Sequence, residues 1–292
     1  MIHMSFWKKL EAIDVRVIYI VLWIAIGVPL LTPLYLPLAI SPDTVKYQAA
    51  IDALPPDSLV AFGMEVSPAG YGGELGPQAR ATMTHLFRKP VRILFLTFWQ
   101  TGAPLIETAW KDPFVVDSMK GKKYGADYVN LGWIAGAETG MASFAADVWK
   151  TAEKGDYKGT KLSDLSMMAR IKTVNDIDML ICIETGTPGG PEYLRQWQAK
   201  NPKLKMMVGS LGVSVPANIA YVASGQYITI LRGGRGGAEY QRLLNIATPQ
   251  DAQGSDAMTI SHVVVLVFLL LGNITYFATK KKKTSQTLTG GD

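Results

Sequence analysis

The sequence predicts an α/β fold, a Rossmann-like three-layer sandwich with a mainly parallel sheet, flanked by N- and C-terminal transmembrane helices. Three observations predict it. Two long uncharged apolar stretches lie near the ends of the chain. Between them, short apolar runs alternate with glycine-containing loops and helical segments. The apolar runs are continuous rather than alternating, as expected of strands that are buried on both faces.

The first predicted transmembrane helix covers residues 17–40, a stretch without a charged residue. A span needs about 20 apolar residues. Pro29, Pro33 and Pro37 remove backbone donors, so an irregular exit from the helix is expected in its second half. A cleavable signal peptide ending near Ser41 is the competing interpretation. Residues 1–16 form a cytoplasmic or interfacial segment in this prediction, because apolar and charged residues alternate there as in a membrane-surface helix.

The second predicted transmembrane helix covers residues 258–279, and residues 280–292 form a basic cytoplasmic tail. Lys8, Lys9 and Arg16 precede the first span, and four lysines at 280–283 follow the second. Positive residues favour the cytoplasmic side of a span. We therefore expect an integral membrane protein with both termini in the cytoplasm and the soluble α/β domain, residues 41–257, outside it.

The domain is predicted to contain six strand-and-helix units. The strands are expected at 58–66, 91–99, 126–133, 177–184, 204–210 and 226–231. The helices are expected at 76–88, 103–110, 140–153, 191–200, 215–224 and 237–245. Two polar segments interrupt this rhythm, 111–125 and 154–173, and both are interpreted as surface excursions. Six such units favour a doubly wound sheet over a closed eight-stranded barrel.

Composition argues against several classes of function. The net charge is +5, but four of the basic residues form the run at 280–283, so no nucleic-acid partner is predicted. The single cysteine, Cys182, lies in an apolar run and is interpreted as a core residue. The three histidines are far apart in sequence, so no metal site is predicted.

Two glycine-rich loops resemble ligand-binding motifs without matching them. The loop from Gly70 to Gly76 is one residue too long for a dinucleotide fingerprint, so no cofactor is predicted. The loop at 233–237 could surround an anion or form a plain turn.

The candidate ligand-binding rim lies at the carboxyl ends of the strands, where open parallel sheets bind ligands. Its predicted members are Glu65, Ser67, Thr101, Glu138, Glu184, Thr185, Ser210, Arg232 and Arg235. The three glutamates follow strand ends and could act together as acid, base or cation ligands. Glu138 could alternatively favour the positive end of the next helix. No catalytic residue is assigned.

The segments at 128–133 and 223–227, with the overall arrangement, resemble uncharacterised prokaryotic membrane proteins with an α/β domain, a resemblance that implies no activity. We expect a non-enzymatic interaction or assembly component of a membrane complex, whose partners are the lipid bilayer and either its own copies, as a homo-oligomer, or other membrane proteins. One alternative is an extracytoplasmic module that binds a small ligand. The second is a membrane-tethered hydrolase or transferase that uses the strand-end carboxylates.

Overall fold

The computed structural model describes residues 13–287, with side chains to Ala278. The predicted interfacial segment therefore lies mostly outside the described residues, as do the lysine side chains at 280–283 and residues 288–292. The chain forms two compact units. One comprises Leu38–Ala247, and the other combines the segments that precede and follow it.

The described part of the terminal unit contains two helices, α1 (Val15–Leu31) and α12 (Pro249–Thr287). Within the described residues, one helix is long and apolar enough to cross a membrane, the 30-residue part Pro249–Ala278 of α12. Helix α1 has 17 residues and ends at Leu31, so the longer N-terminal span at 17–40 is not confirmed. The backbone beyond the helix turns to the buried Asp256, whose carboxylate accepts hydrogen bonds from the N–H groups of Leu34, Tyr35 and Leu36.

The central unit, Leu38–Ala247, contains a parallel sheet that has six strands within the described residues, in the order β3-β2-β1-β4-β5-β6. The strands are β1 (Leu59–Glu65), β2 (Arg92–Thr97), β3 (Tyr128–Trp133), β4 (Met179–Glu184), β5 (Lys205–Ser210) and β6 (Ile230–Arg232). This is the Rossmann order, in which the direction of winding reverses between β1 and β4. The α/β prediction with a parallel sheet is confirmed.

Helices cover both faces of the sheet. They are α2 (Pro42–Asp52), α3 (Pro68–Gly70), α4 (Gly76–Arg88), α5 (Gly102–Ala109), α6 (Pro113–Ser118), α7 (Ala137–Ala146), α8 (Val148–Thr151), α9 (Gly190–Tyr193), α10 (Val215–Ala223) and α11 (Gly233–Leu243). Alternate residues of β1 point to two separate apolar cores. Val60 and Phe62 pack with α2, α4 and α11, whereas Ala61 packs with α7 and α9. Such two-sided burial explains why the strands read as continuous apolar runs.

The segment 154–173 is not a surface excursion, so that prediction was wrong. It contains short 3-10 helices at Leu162–Asp164 and Ser166–Arg170. Its apolar side chains are buried in the core that contains α7, namely Leu162, Leu165, Met167, Met168 and Ile171. Leu162, Leu165, Met168 and Ile171 recur every three residues, which is the period of a 3-10 helix and not of an α-helix or a strand.

Candidate functional site

Glu65 is the last residue of β1 and is fully buried at the carboxyl edge of the sheet. The Tyr193 hydroxyl donates to Oε1 over 2.7 Å, and the Phe98 N–H lies 3.1 and 3.0 Å from the two carboxylate oxygens. The Thr97 hydroxyl lies 3.2 Å from Oε2. Burial raises the pKa of this carboxyl to about 7, although the hydrogen bonds from Tyr193 and Phe98 oppose the shift.

Glu184 ends the neighbouring strand β4 in register with Glu65. It is almost completely buried, and burial raises the pKa of its carboxyl. Its Oε2 accepts from the N–H of Gly190 at the start of α9, and its Oε1 accepts from the Asn218 amide over 2.7 Å. The same Asn218 nitrogen lies 3.2 Å from the hydroxyl of Ser210, the predicted rim residue at the end of β5. Glu184 and Ser210 therefore share one buried polar cluster.

The loops after β1 and β4, where a Rossmann domain would accept a ligand, contact each other. The Ser67 N–H donates to the Thr185 hydroxyl over 2.9 Å. A Cβ atom at Gly70 would lie only 2.6 Å from the same hydroxyl oxygen, so the two loops are in close contact. Thr101 donates to the Val66 carbonyl and ties the loop after β2 to the same place. Ser67, Thr101 and Thr185 thus hold loops together.

A fourth carboxylate occupies the position at which a helix N-terminus would bind an anion. Residues 233–237 form the first turn of α11 rather than an open loop. Oε2 of Glu74 accepts from the N–H of Gly234 over 3.0 Å and from the N–H of Gly212 over 2.8 Å. Free N–H groups at a helix start attract anions. Here the protein supplies its own anion from the loop that follows β1.

Three predicted rim residues follow strand ends but form ion pairs of their own. Glu138 is half-buried in the first turn of α7 and pairs with two Arg195 nitrogens, at 2.8 and 3.1 Å, which lowers the pKa of its carboxyl to about 2. Arg232 pairs with Asp43 at the start of α2. Arg235 pairs with Glu239 over 2.7 Å. Arg195 also pairs with Glu192 over 2.7 Å, so Glu138 belongs to an ion-pair group of its own.

Glu239 anchors the start of the domain. Its Oε2 accepts from the Ser41 hydroxyl over 2.6 Å and from the Thr44 hydroxyl over 2.7 Å. The Arg235 guanidinium, already paired with Glu239, also donates to the Ala39 carbonyl. Arg232 and Arg235, which were predicted as members of the ligand-binding rim, fasten residues 39–44 to the end of β6 and to α11.

The carboxyl edge exposes charged side chains that are ion-paired, Arg232 and Arg235 among them, and apolar ones beside them. The exposed side chains at the strand ends include Trp133, 46% exposed, and Val213, 84% exposed. Val213 belongs to a 3-10 turn, Gly212–Ser214, that leads into α10. No charged residue occurs between Lys205 and Arg232. We use the name uncharged rim for a group of exposed, uncharged residues at this edge. They are Trp133, Val213, Pro216, Ala217, Ala220 and Ala223.

A cavity of about 230 Å³ lies at the opposite, amino edge of the sheet. It is lined by Asp57, Leu59, Arg92, Met167, Arg170, Ile171, Asp176 and Asp178. Asp57 pairs there with both Arg92 and Arg170. Asp178 accepts from the Leu59 N–H over 2.8 Å. The polar walls are thus largely paired with one another. Among the described residues, no group of three or more histidine, cysteine, aspartate or glutamate side chains could hold a metal ion.

Sequence reasoning missed Glu74, Tyr193, Asn218 and Glu239, each of which reaches its partner across a long stretch of sequence. A glutamate in a glycine-rich loop after the first strand was the one visible signal for Glu74. No protein-family model matches the chain, and no curated protein matches it either.

Proposed function

We propose that the chain is a membrane-anchored interaction component, which associates with its own copies or with other membrane proteins through the uncharged rim. The observation that carries the proposal is the inward placement of the rim's carboxylates. Glu65, Glu74 and Glu184 bind backbone and side-chain donors of the domain, and the strand-end loops expose the apolar side chains of Trp133 and Val213. Exposed apolar surface is typical of a protein-binding site.

Membrane attachment is supported by the apolar helix Pro249–Ala278 and by the exposed aromatic and aliphatic residues of α1, including Trp23, which is 80% exposed. In the topology that we propose, α1 is a second anchor and the domain is extracytoplasmic. Lysine and arginine flank the two apolar segments mainly on the sides that face the chain termini, at positions 8, 9, 16 and 280–283. An impermeant maleimide applied to intact cells tests this, with the exposed Lys203 replaced by cysteine. Labelling before lysis supports the topology, and labelling only after lysis contradicts it.

The interaction role is tested by purifying the full chain from native membranes. The variant Val213→Glu places a charge on the uncharged rim. Val116→Glu makes the same chemical change at another exposed valine, on α6, which is 48% exposed. We expect Val213→Glu to lose the associated protein because a buried unpaired charge opposes binding, while Val116→Glu retains it.

Equal recovery of associated protein with both variants would refute a role for the rim.

The enzymatic alternative is tested separately by replacing Glu65, Glu138 and Glu184 with glutamine. A cellular phenotype that survives this triple replacement supports the interaction role, whereas its loss with the fold intact favours chemistry at the strand-end carboxylates.

A further inference from the structure

We propose that the carboxylate of Asp256 joins the two membrane anchors into one unit and thereby keeps the N-terminal apolar segment, residues 17–40, in the mature protein. The alternative is that the segment is removed as a signal peptide by cleavage near Ser41. The inference rests on the membrane attachment proposed above and names the residue on which the N-terminal anchor depends. Both sides of the contact belong to the terminal unit.

The segment that follows α1 does not continue the helix. Helix α1 ends at Leu31, and prolines at positions 33 and 37 remove backbone donors and disfavour a helical conformation in the residue before them. Tyr35, between these prolines, has a φ of 52°, a left-handed conformation that is uncommon for residues other than glycine. The N–H groups of this segment therefore need acceptors outside α1.

Asp256 supplies these acceptors. Its Oδ2 accepts from the N–H of Leu34 over 2.8 Å and from the N–H of Tyr35 over 2.9 Å, and its Oδ1 accepts from the N–H of Leu36 over 3.0 Å. Successive N–H groups that point to one anion form a nest, a favourable site for negative charge. Asp256 is 1% exposed, so water has little access to its carboxylate. The left-handed turn and the buried carboxylate thus satisfy each other.

Removal of the N-terminal segment would take these three donors away from Asp256. The residue lies in Pro249–Ala278, the helix that is long and apolar enough to cross a membrane. A charged side chain without a partner is costly in a spanning helix, and removing one side of a buried charged contact is strongly unfavourable. A cleaved chain would still have its C-terminal anchor, but that anchor would carry an acidic side chain without its donors.

The contacts at the possible cleavage point also favour retention. The N–H and the hydroxyl of Ser41 donate to Glu239 over 3.0 and 2.6 Å. Pro42 follows as the first residue of α2, which Ser41 caps. Proteolysis concentrates at exposed segments whose backbone has few hydrogen bonds. Here the backbone at the cleavage point is bound to the central unit and begins a helix.

The first measurement is the N-terminus of the full chain purified from native membranes. Mass spectrometry of the intact chain and of its peptides shows whether residues 17–40 are present, and we expect that they are. A mature chain that begins at Pro42, or close to it, overturns the inference. The interaction role would survive that result, because the C-terminal helix and the uncharged rim would remain.

The second measurement is hydrogen exchange at residues 34–36 of the full chain in detergent micelles. Asp256→Ala removes both acceptor oxygens, and Asp256→Asn keeps the size of the side chain but replaces one of these oxygens with a donor. We expect exchange about tenfold faster or more in both variants, because hydrogen bonds to a charged acceptor are lost. Asp117→Ala is the matched control at an exposed aspartate on α6 and should leave this exchange unchanged.

Equal exchange at residues 34–36 in the wild type and both Asp256 variants would overturn the role of Asp256, even in a chain that retains the segment. Asp256→Asn decides the question if Asp256→Ala does not fold. The interaction role is tested separately by the rim variants, whose Val213 and Val116 lie in the central unit. Equal recovery of associated protein with those two variants refutes that role whether or not residues 17–40 are retained.

Discussion

The buried carboxyl of Glu65 should make the stability of the domain depend on pH in a direction opposite to that of an ordinary salt-bridged glutamate. Burial raises its pKa from 4.5 to about 7 in the folded protein. The folded state therefore holds a proton that the unfolded chain releases between these values, and stability falls as pH rises through that window. The contribution is fully present below pH 4.5 and is lost by about pH 7.

The magnitude follows from the size of the shift. One pKa unit corresponds to about 1.4 kcal/mol, so Glu65 lowers the free energy of unfolding by about 3 kcal/mol across the window. Glu65→Gln keeps the size of the side chain and an oxygen that can accept from the Phe98 N–H, but it cannot titrate. Burial lowers the pKa of His85, so the contribution of His85 to stability decreases as pH falls. This change is the same in the wild type and in Glu65→Gln. The difference between wild type and variant isolates Glu65.

The assay is chemical unfolding of the full chain in detergent micelles, followed by tryptophan fluorescence and near-UV circular dichroism from pH 4.5 to pH 8. Glu138→Gln is the matched control, because the carboxyl of Glu138 has its pKa lowered to about 2 and so loses its contribution only below that window. We expect wild type and Glu138→Gln to lose stability with rising pH relative to Glu65→Gln. Parallel curves for all three proteins, or a wild type that gains stability relative to Glu65→Gln, would contradict the environment described for Glu65.

Three further substitutions test the contacts at the strand ends. Gly63→Ala should destabilise the domain by about 1 to 3 kcal/mol, because the added Cβ would lie 2.8 Å from the Tyr193 hydroxyl. The control is Gly72→Ala, whose added Cβ would meet no atom within 4 Å. It should have a much smaller effect in the same unfolding assay. Glu74→Gln should lower the free energy of unfolding by about 1 to 2 kcal/mol, because an amide oxygen accepts more weakly than a carboxylate at the start of α11. An unchanged free energy of unfolding would show that this contact contributes nothing. Glu239→Gln should increase hydrogen exchange in residues 39–44, measured by mass spectrometry, and unchanged protection there would refute its anchoring role.

The parallel sheet could be predicted because its strands are buried on both faces and therefore read as uninterrupted apolar runs. The run that contains Cys182 is one of them, and the cysteine is buried as expected. The order of the strands depends on the path of each connection, which the runs themselves do not record. The 154–173 segment escaped prediction because its buried residues recur every three residues, as in short 3-10 helices, and not at the spacing of an α-helix or a strand.

The candidate site was predicted in part, since strand ends can be located from sequence but the direction of a side chain cannot. Glu65 and Glu184 do lie at the carboxyl edge, in register on adjacent strands. Whether a carboxylate faces solvent or the interior depends on distant donors such as Tyr193 and Asn218, which have no local signature. Glu138 illustrates the same limit, because its partner Arg195 lies far along the chain.

The central claim, that the chain works by association through its uncharged rim, is tested most directly by the mass of the full chain extracted from native membranes in mild detergent. Native mass spectrometry measures both the number of copies and any bound protein in one spectrum. The account predicts particles that contain more than one copy of the chain or a second membrane protein. A strictly monomeric particle that carries no other protein would contradict it.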